Sequence, residues 1–166
     1  MQTQDALNVL VALEERVARI YFRFFQRFRA DAAVAACWWD MARDEYGHVG
    51  ILKMVRELVP PGEEVGEAGT RLWGLVDVVE RCEQEAAQPI TLERALELAI
   101  LLESSELDVL GHRIVQSLRE ELPAGAAQPF GAVDAHCQRL AVAAERVADH
   151  RTRQRLETML AGGKNR

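Results

Sequence analysis

A chain of 166 residues, 49% apolar and 28% charged, is long enough for one domain with a sizeable core and has the make-up of an ordinary globular protein. A formal net charge of −6 argues against a polyanion, so no nucleic-acid partner is expected. Three scattered cysteines (Cys37, Cys82, Cys137) form no CxxC pair, and no apolar run approaches the roughly 20 residues of a membrane span. This excludes thiolate metal modules such as zinc ribbons and points to a cytoplasmic protein with no membrane partner.

Helical periodicity runs through nearly the whole chain, and sustained two-residue alternation is absent. The first helix is expected over about 5–29, with Leu10, Val17, Tyr21, Phe24 and Phe28 on one face and Glu14 on the same spacing. Glu15 competes with Glu14 for that face, because the apolar arc is wide. Asp31 is placed to cap a second helix over about 32–58, whose seam reads Trp38, Met41, Glu45, His48, Leu52 and Val55. Pro60, Pro61 and Gly62 end it. A short amphipathic helix follows at about 71–86, built on Leu72, Leu75, Val76 and Val79. Thr91, with Glu93 in the first turn, caps a third long helix over about 92–121. The fourth covers about 130–160, with Val133, Cys137, Ala141, Ala144 and Ala148 taken as its inner face.

Connection lengths set the topology. The first two long helices are joined by a few residues, as are the last two, whereas roughly thirty residues separate the second from the third. Two antiparallel hairpins joined by a long crossover carrying a short helix is the ferritin-like form of the all-α four-helix bundle, here a single domain over 1–166.

Glu45-Tyr46-Gly47-His48 carries the clearest chemistry. Residues three apart share a helix face, so the carboxylate and the imidazole can serve one ligand, and both sit on the apolar seam. An ExxH is common by itself; its placement on that seam gives it weight. On the third helix, Ala99, Glu103, Glu106 and Leu110 form a stripe, so Glu103 and Glu106 point inward if the stripe does. The competing view is a solvated Glu-Ser-Ser-Glu patch. Glu145 lies at the edge of the fourth helix's inner face. Carboxylates converging inside a bundle repel and lose hydration, at several kcal/mol per uncompensated charge, unless protons or cations neutralise them. Hard oxygen donors with an imidazole suit iron or manganese. His112 and His136 are placed two turns or more from the carboxylate level and read as non-ligands. Trp38, Trp39 and the Phe22/Phe24/Phe25/Phe28 cluster read as core, with a dimer patch as the alternative, and Gly47 and Gly50 allow close helix approach or a bulge.

ALEERVARIY, MARDEYGHVGIL and ALELAILLESSEL together resemble the helix motifs of the rubrerythrin-like branch of the ferritin-like superfamily, and the likeness extends over most of the chain. It implies a di-iron centre with Glu14, Glu45, His48, Glu103, Glu106 and Glu145 as metal ligands and Tyr21 close to the metals. It also implies peroxide reduction or ferrous-iron oxidation, a homodimer, and a separate electron-donor protein. Manganese is the alternative metal, and a non-catalytic iron-binding or sensing module or a metal-free interaction domain are the alternative roles. Two departures stand out. Ala148 occupies the place of the second ExxH histidine, leaving His150 as a ligand only through a π-bulge, and Leu110 replaces a second Tyr. On that pattern the fourth-helix half-site is weakened and one ion is the minimum.

Overall fold

The computed structural model describes residues 1–60, 62, 64, 68–105, 111, 114, 133–147, 154 and 158, without the side chains of 68–70, 133–135, 137 and 145–147. The fold is all-α. Helix α1 spans Thr3–Arg27, α2 Ala32–Leu58, α3 Ala68–Ala86, α4 Leu92–Glu103 and α5 Val133–Val147. Among the described residues the only strand-like pairing is an isolated bridge between Gln2 and Glu64.

The helix starts follow local chemistry. Asp31 is the N-cap of α2, its Oδ1 accepting from the backbone N–H of Ala33 at 3.0 Å and of Val34 at 3.2 Å. Thr91 caps α4 by accepting from the N–H of Arg94 at 3.2 Å. The expectation of one unbroken helix from 92 to 121 is corrected: α4 stops at Glu103, and Ser104 and Ser105 form a turn. Their hydroxyls donate back to the carbonyls of Leu101 and Leu102, at 3.1 and 2.5 Å, a side-chain competition that commonly ends or bends helices. Position 111 and position 114 are again helical.

Helices α1 and α2 form an antiparallel hairpin, since Gln4 reaches the carbonyl of Val59, Arg56 reaches Asn8, and Phe25 packs edge-on against Trp39. Between them lies the core, with Leu7, Leu10, Tyr21, Phe24, Trp38, Met41 and Leu52 essentially removed from water. Trp38 packs edge-on against Phe24 at 5.0 Å and stacks on Tyr21 at 6.0 Å. Helix α3 lies on α1, where Arg16 pairs with Glu83 at 2.9 Å, and is linked to α4 by Arg94–Glu85 at 2.7 Å. Helix α5 packs on α2 through Arg139, whose guanidinium meets Asp44 and whose carbonyl faces Cys37.

Two expectations about the core are corrected. Trp39 and Phe22 are not core: both are substantially exposed, one residue and so about 100° of rotation from the buried Trp38 and Tyr21. Gly47 and Gly50 lie on the outward face of a regular helix, with no bulge, and among the described residues a Cβ built on either meets nothing within 4 Å.

Candidate metal centre

Four helices each send acidic or imidazole side chains to one buried cluster. Glu14 comes from α1, Glu45 and His48 from α2, Glu103 from the last position of α4, and His136 from the first turn of α5. The choice between Glu14 and Glu15 is settled: Glu14 is fully buried, whereas Glu15 pairs with Lys53 at the surface at 2.7 Å.

The cluster divides into two sets that share one residue. Glu14, Glu45 and His48 form the first, and Glu45, Glu103 and His136 the second, the donor atoms of each lying within 4.8 Å of one another. In the first set His48 Nδ1 is 3.0 Å from Glu45 Oε2 and 3.9 Å from Glu14 Oε2. In the second, His136 Nδ1 is 3.1 Å from Glu103 Oε2 and 3.6 Å from Glu45 Oε1. Glu45 therefore turns a different oxygen to each set. The two imidazoles flank it with ring centroids 6.0 Å apart.

Around this core stand two further contacts. The Tyr21 hydroxyl donates to Glu103 Oε1 at 2.5 Å. On the far side of His136, Nε2 faces Asp44 Oδ2 at 3.5 Å, and Arg139 holds the same carboxylate oxygen at 2.5 Å. Burial works against the Asp44 charge, but hydrogen bonds from Arg139 and Arg43 outweigh it and hold the carboxyl below its ordinary range. Glu45 is the opposite case. Burial above all, then the neighbouring Glu14 charge, push its carboxyl up to about 8, although the His48 hydrogen bond acts the other way. A carboxyl pushed that high is one whose charge lacks sufficient neutralisation by the protein alone.

The donor set fits divalent cations. Two donors each roughly 2.1 Å from one ion and 90° to 140° apart are separated by about 3.0 to 3.9 Å, the range of the imidazole–carboxylate distances here. Carboxylate oxygens and imidazole nitrogens without thiolates suit iron or manganese. Burial pushes the Cys37 thiol, which lies beyond the cluster, up to about 11, so it is no thiolate donor.

Of the residues singled out in the sequence, Glu14, Glu45, His48 and Glu103 converge, and Tyr21 stands against Glu103. Glu106, His112 and His150 lie outside the described residues, and so does the side chain of Glu145. The view of His136 as remote is corrected. Among the described side chains of α5, His136, Leu140, Ala143 and Ala144 are buried, and His136 Nδ1 stands 3.1 Å from Glu103 Oε2, so Glu103 lies level with His136. His136 and Asp44 are the site's additions beyond the sequence argument. Compared with protein-family models, curated proteins and solved structures, the chain matches none.

Proposed function

We propose that the protein is a metal-binding, ferritin-like four-helix bundle akin to rubrerythrins, holding two divalent ions, iron or manganese, between Glu14, Glu45, His48, Glu103 and His136. The single observation behind this reading is Glu45. Its two oxygens face different histidines, at 3.0 and 3.6 Å, as a carboxylate shared by two ions would. Glu14 and His48 complete one position; Glu103 and His136 complete the other.

When bound, such an ion pair would supply Lewis acidity and, in its ferrous form, the electrons that peroxide takes up as it is reduced and the iron oxidised. The chain's own residues prepare the site. Tyr21 holds Glu103 in place through its hydroxyl proton. Asp44, anchored by Arg139, favours the His136 tautomer with its proton on Nε2, which turns the Nδ1 lone pair towards the carboxylates. Depth of burial excludes bulk water and keeps carboxylate charge expensive until cations arrive. Electrons for turnover would come from a separate donor protein.

The same depth favours a second role, an iron-binding or sensing module without turnover, since Glu14 and His136 have no exposed surface. Titration of chelator-treated protein with manganous or ferrous ion tests the binding itself. Two ions per chain are expected, and saturation with none would leave the metal-free interaction domain. Stopped-flow absorbance of the ferrous-loaded protein mixed with hydrogen peroxide then separates the roles. Oxidation faster than that of free ferrous ion marks the peroxidase or ferroxidase role; an unaltered rate marks the binding module.

A further inference from the structure

The five donor side chains of the cluster are sealed off, none of them more than 3% exposed. An ion that shed its whole water shell at once to enter such a place would meet a steep barrier. Loading therefore calls for a stepwise exchange of water for protein oxygen. Asp44 stands where that exchange can start. It precedes Glu45 on α2, about 100° around the helix, and its side chain is 19% exposed. Its Oδ2 faces His136 Nε2 at 3.5 Å, while the other nitrogen of the same ring, Nδ1, faces Glu103 and Glu45 at 3.1 and 3.6 Å. Asp44 thus meets solvent on one side and the outer edge of a cluster imidazole on the other. Around it lies a chain of net charge −6, which draws cations towards its surface.

Two guanidiniums cover this carboxylate. Arg139 of α5 holds Oδ2 at 2.5 Å, and Arg43 holds Oδ1 at 3.0 Å. They differ in strength. Arg43 is 58% exposed and is shared with Asp40 at 2.9 Å, an arrangement that water and salt weaken. Arg139 is more sheltered, and its charge-assisted bond must break before Oδ2 can accept a cation. A guanidinium on the oxygen that faces His136 repels an incoming ion and closes the way to the imidazole.

We propose that Asp44 is the entry ligand through which divalent ions load the buried cluster, and that Arg139 is the latch that keeps this entrance shut. The proposal rests on the two-ion site proposed for the cluster. Asp44 takes the ion from water as Arg139 swings aside, and passes it to His136, Glu45 and Glu103 behind it. Orientation of His136 by Asp44 governs how long an ion stays, whereas entry governs how fast it arrives, so the two roles separate in the kinetics.

Manganous ion delivered to the metal-free full chain from a fluorescent chelator reports loading through the chelator's emission in a stopped-flow instrument. An excess of a stronger chelator then reports release. Asp44→Asn, which keeps the shape and an oxygen for Arg139, should load slower than wild type by about tenfold or more. Asp44→Glu, which restores the carboxylate, should recover much of the rate. Asp40→Asn removes the same charge one turn away, from a residue that pairs with Arg43 and not with the cluster, and should load within about twofold of wild type. Arg139→Gln, with its fold checked by circular dichroism, should load faster than wild type. An Asp44→Asn chain that loads at the wild-type rate and differs only in release overturns the entry role. Equal slowing by Asp40→Asn does so too, since it would reduce the effect to surface charge. An Arg139→Gln chain that loads no faster overturns the latch. Wild-type protein that takes up no manganese fails the metal-binding reading itself, a different result from uptake that ignores position 44.

Discussion

Raising the pH should weaken the metal-free protein and strengthen the metal-loaded one, and Glu45 is the reason. Its carboxyl titrates near 8 in the folded chain against an ordinary 4.5. The folded state therefore binds the proton more tightly than the unfolded state. The stability associated with this group is intact below about 4.5 and is lost as pH rises through about 8. At 1.36 kcal/mol per unit, the difference of roughly 3.5 units sets a ceiling of about 5 kcal/mol. Relaxation and water entry reduce that to roughly 2–3 kcal/mol. For a domain of this size the loss lowers the melting temperature by about 5–10 °C between pH 5 and pH 8. Bound cations reverse the sign, because they need the carboxylate: at a hundredfold excess over Kd they add about 2.7 kcal/mol, and the gain fades as protons compete. Calorimetry of chelator-treated and manganese-saturated protein from pH 5 to pH 8 should give curves that diverge with rising pH. Glu45→Gln isolates the cause, since the neutral isostere should flatten the metal-free curve and abolish the metal response. A wild-type metal-free melting temperature that holds steady or climbs from pH 5 to pH 8 would refute the reasoning. So would an unchanged slope in Glu45→Gln.

The two-set geometry makes His48→Ala and His136→Ala equivalent in kind: each should reduce the manganese stoichiometry from two to one in isothermal titration. Tyr21→Phe removes the 2.5 Å donor to Glu103 and leaves a buried carboxylate oxygen short of a partner, so chemical denaturation should show a loss of about 1–3 kcal/mol. Glu15→Ala, which breaks only the exposed pair with Lys53, should change stability by no more than about 1 kcal/mol and leave metal binding intact; Glu14→Ala should weaken binding while Glu15→Ala does not. Asp31→Ala deletes the α2 cap and should cost about 1 kcal/mol, a fall of about 2–4 °C in melting temperature.

Most helix limits were legible because their causes are local. Asp31 and Thr91 announce helix starts through side chains that cap backbone N–H groups within three residues, and no tertiary information enters. The seam of α2 was equally readable, since Trp38, Met41, Glu45, His48, Leu52 and Val55 repeat at three and four and are all buried. The end of α4 was harder. Leu92 to Leu102 reads as a strong helix, and Ser104 and Ser105 are neutral enough in composition to let the pattern run on. Their hydroxyls decide the matter by bonding to carbonyls three residues back. Trp39 and Phe22 depart from the core reading for another reason: each adjoins a buried aromatic, and composition alone does not tell which of two neighbouring aromatics faces inward.

The fourth helix illustrates why a site can be half visible. Val133-Asp-Ala-His-Cys-Gln-Arg-Leu-Ala-Val-Ala-Ala offers two stripes at helical spacing, one through Val133, Cys137, Ala141 and Ala144, the other through His136, Leu140, Ala143 and Ala144. They differ by about 100° of rotation, and with alanine on both, apolar burial barely distinguishes them. Polar chemistry breaks the tie. Arg139 reaches Asp44 at 2.5 Å, which ties α5 to α2 beside the cluster, and that rotation turns His136 to Glu103 and Glu45. The cue was available in Asp44, one residue before Glu45, and in Arg139, three residues after His136. Recognising it, however, requires knowing that α2 and α5 are neighbours, which no local spacing encodes. In the proposed two-ion site His136 would supply the imidazole of the second position, so that Ala148 no longer has to be the place where a histidine belongs.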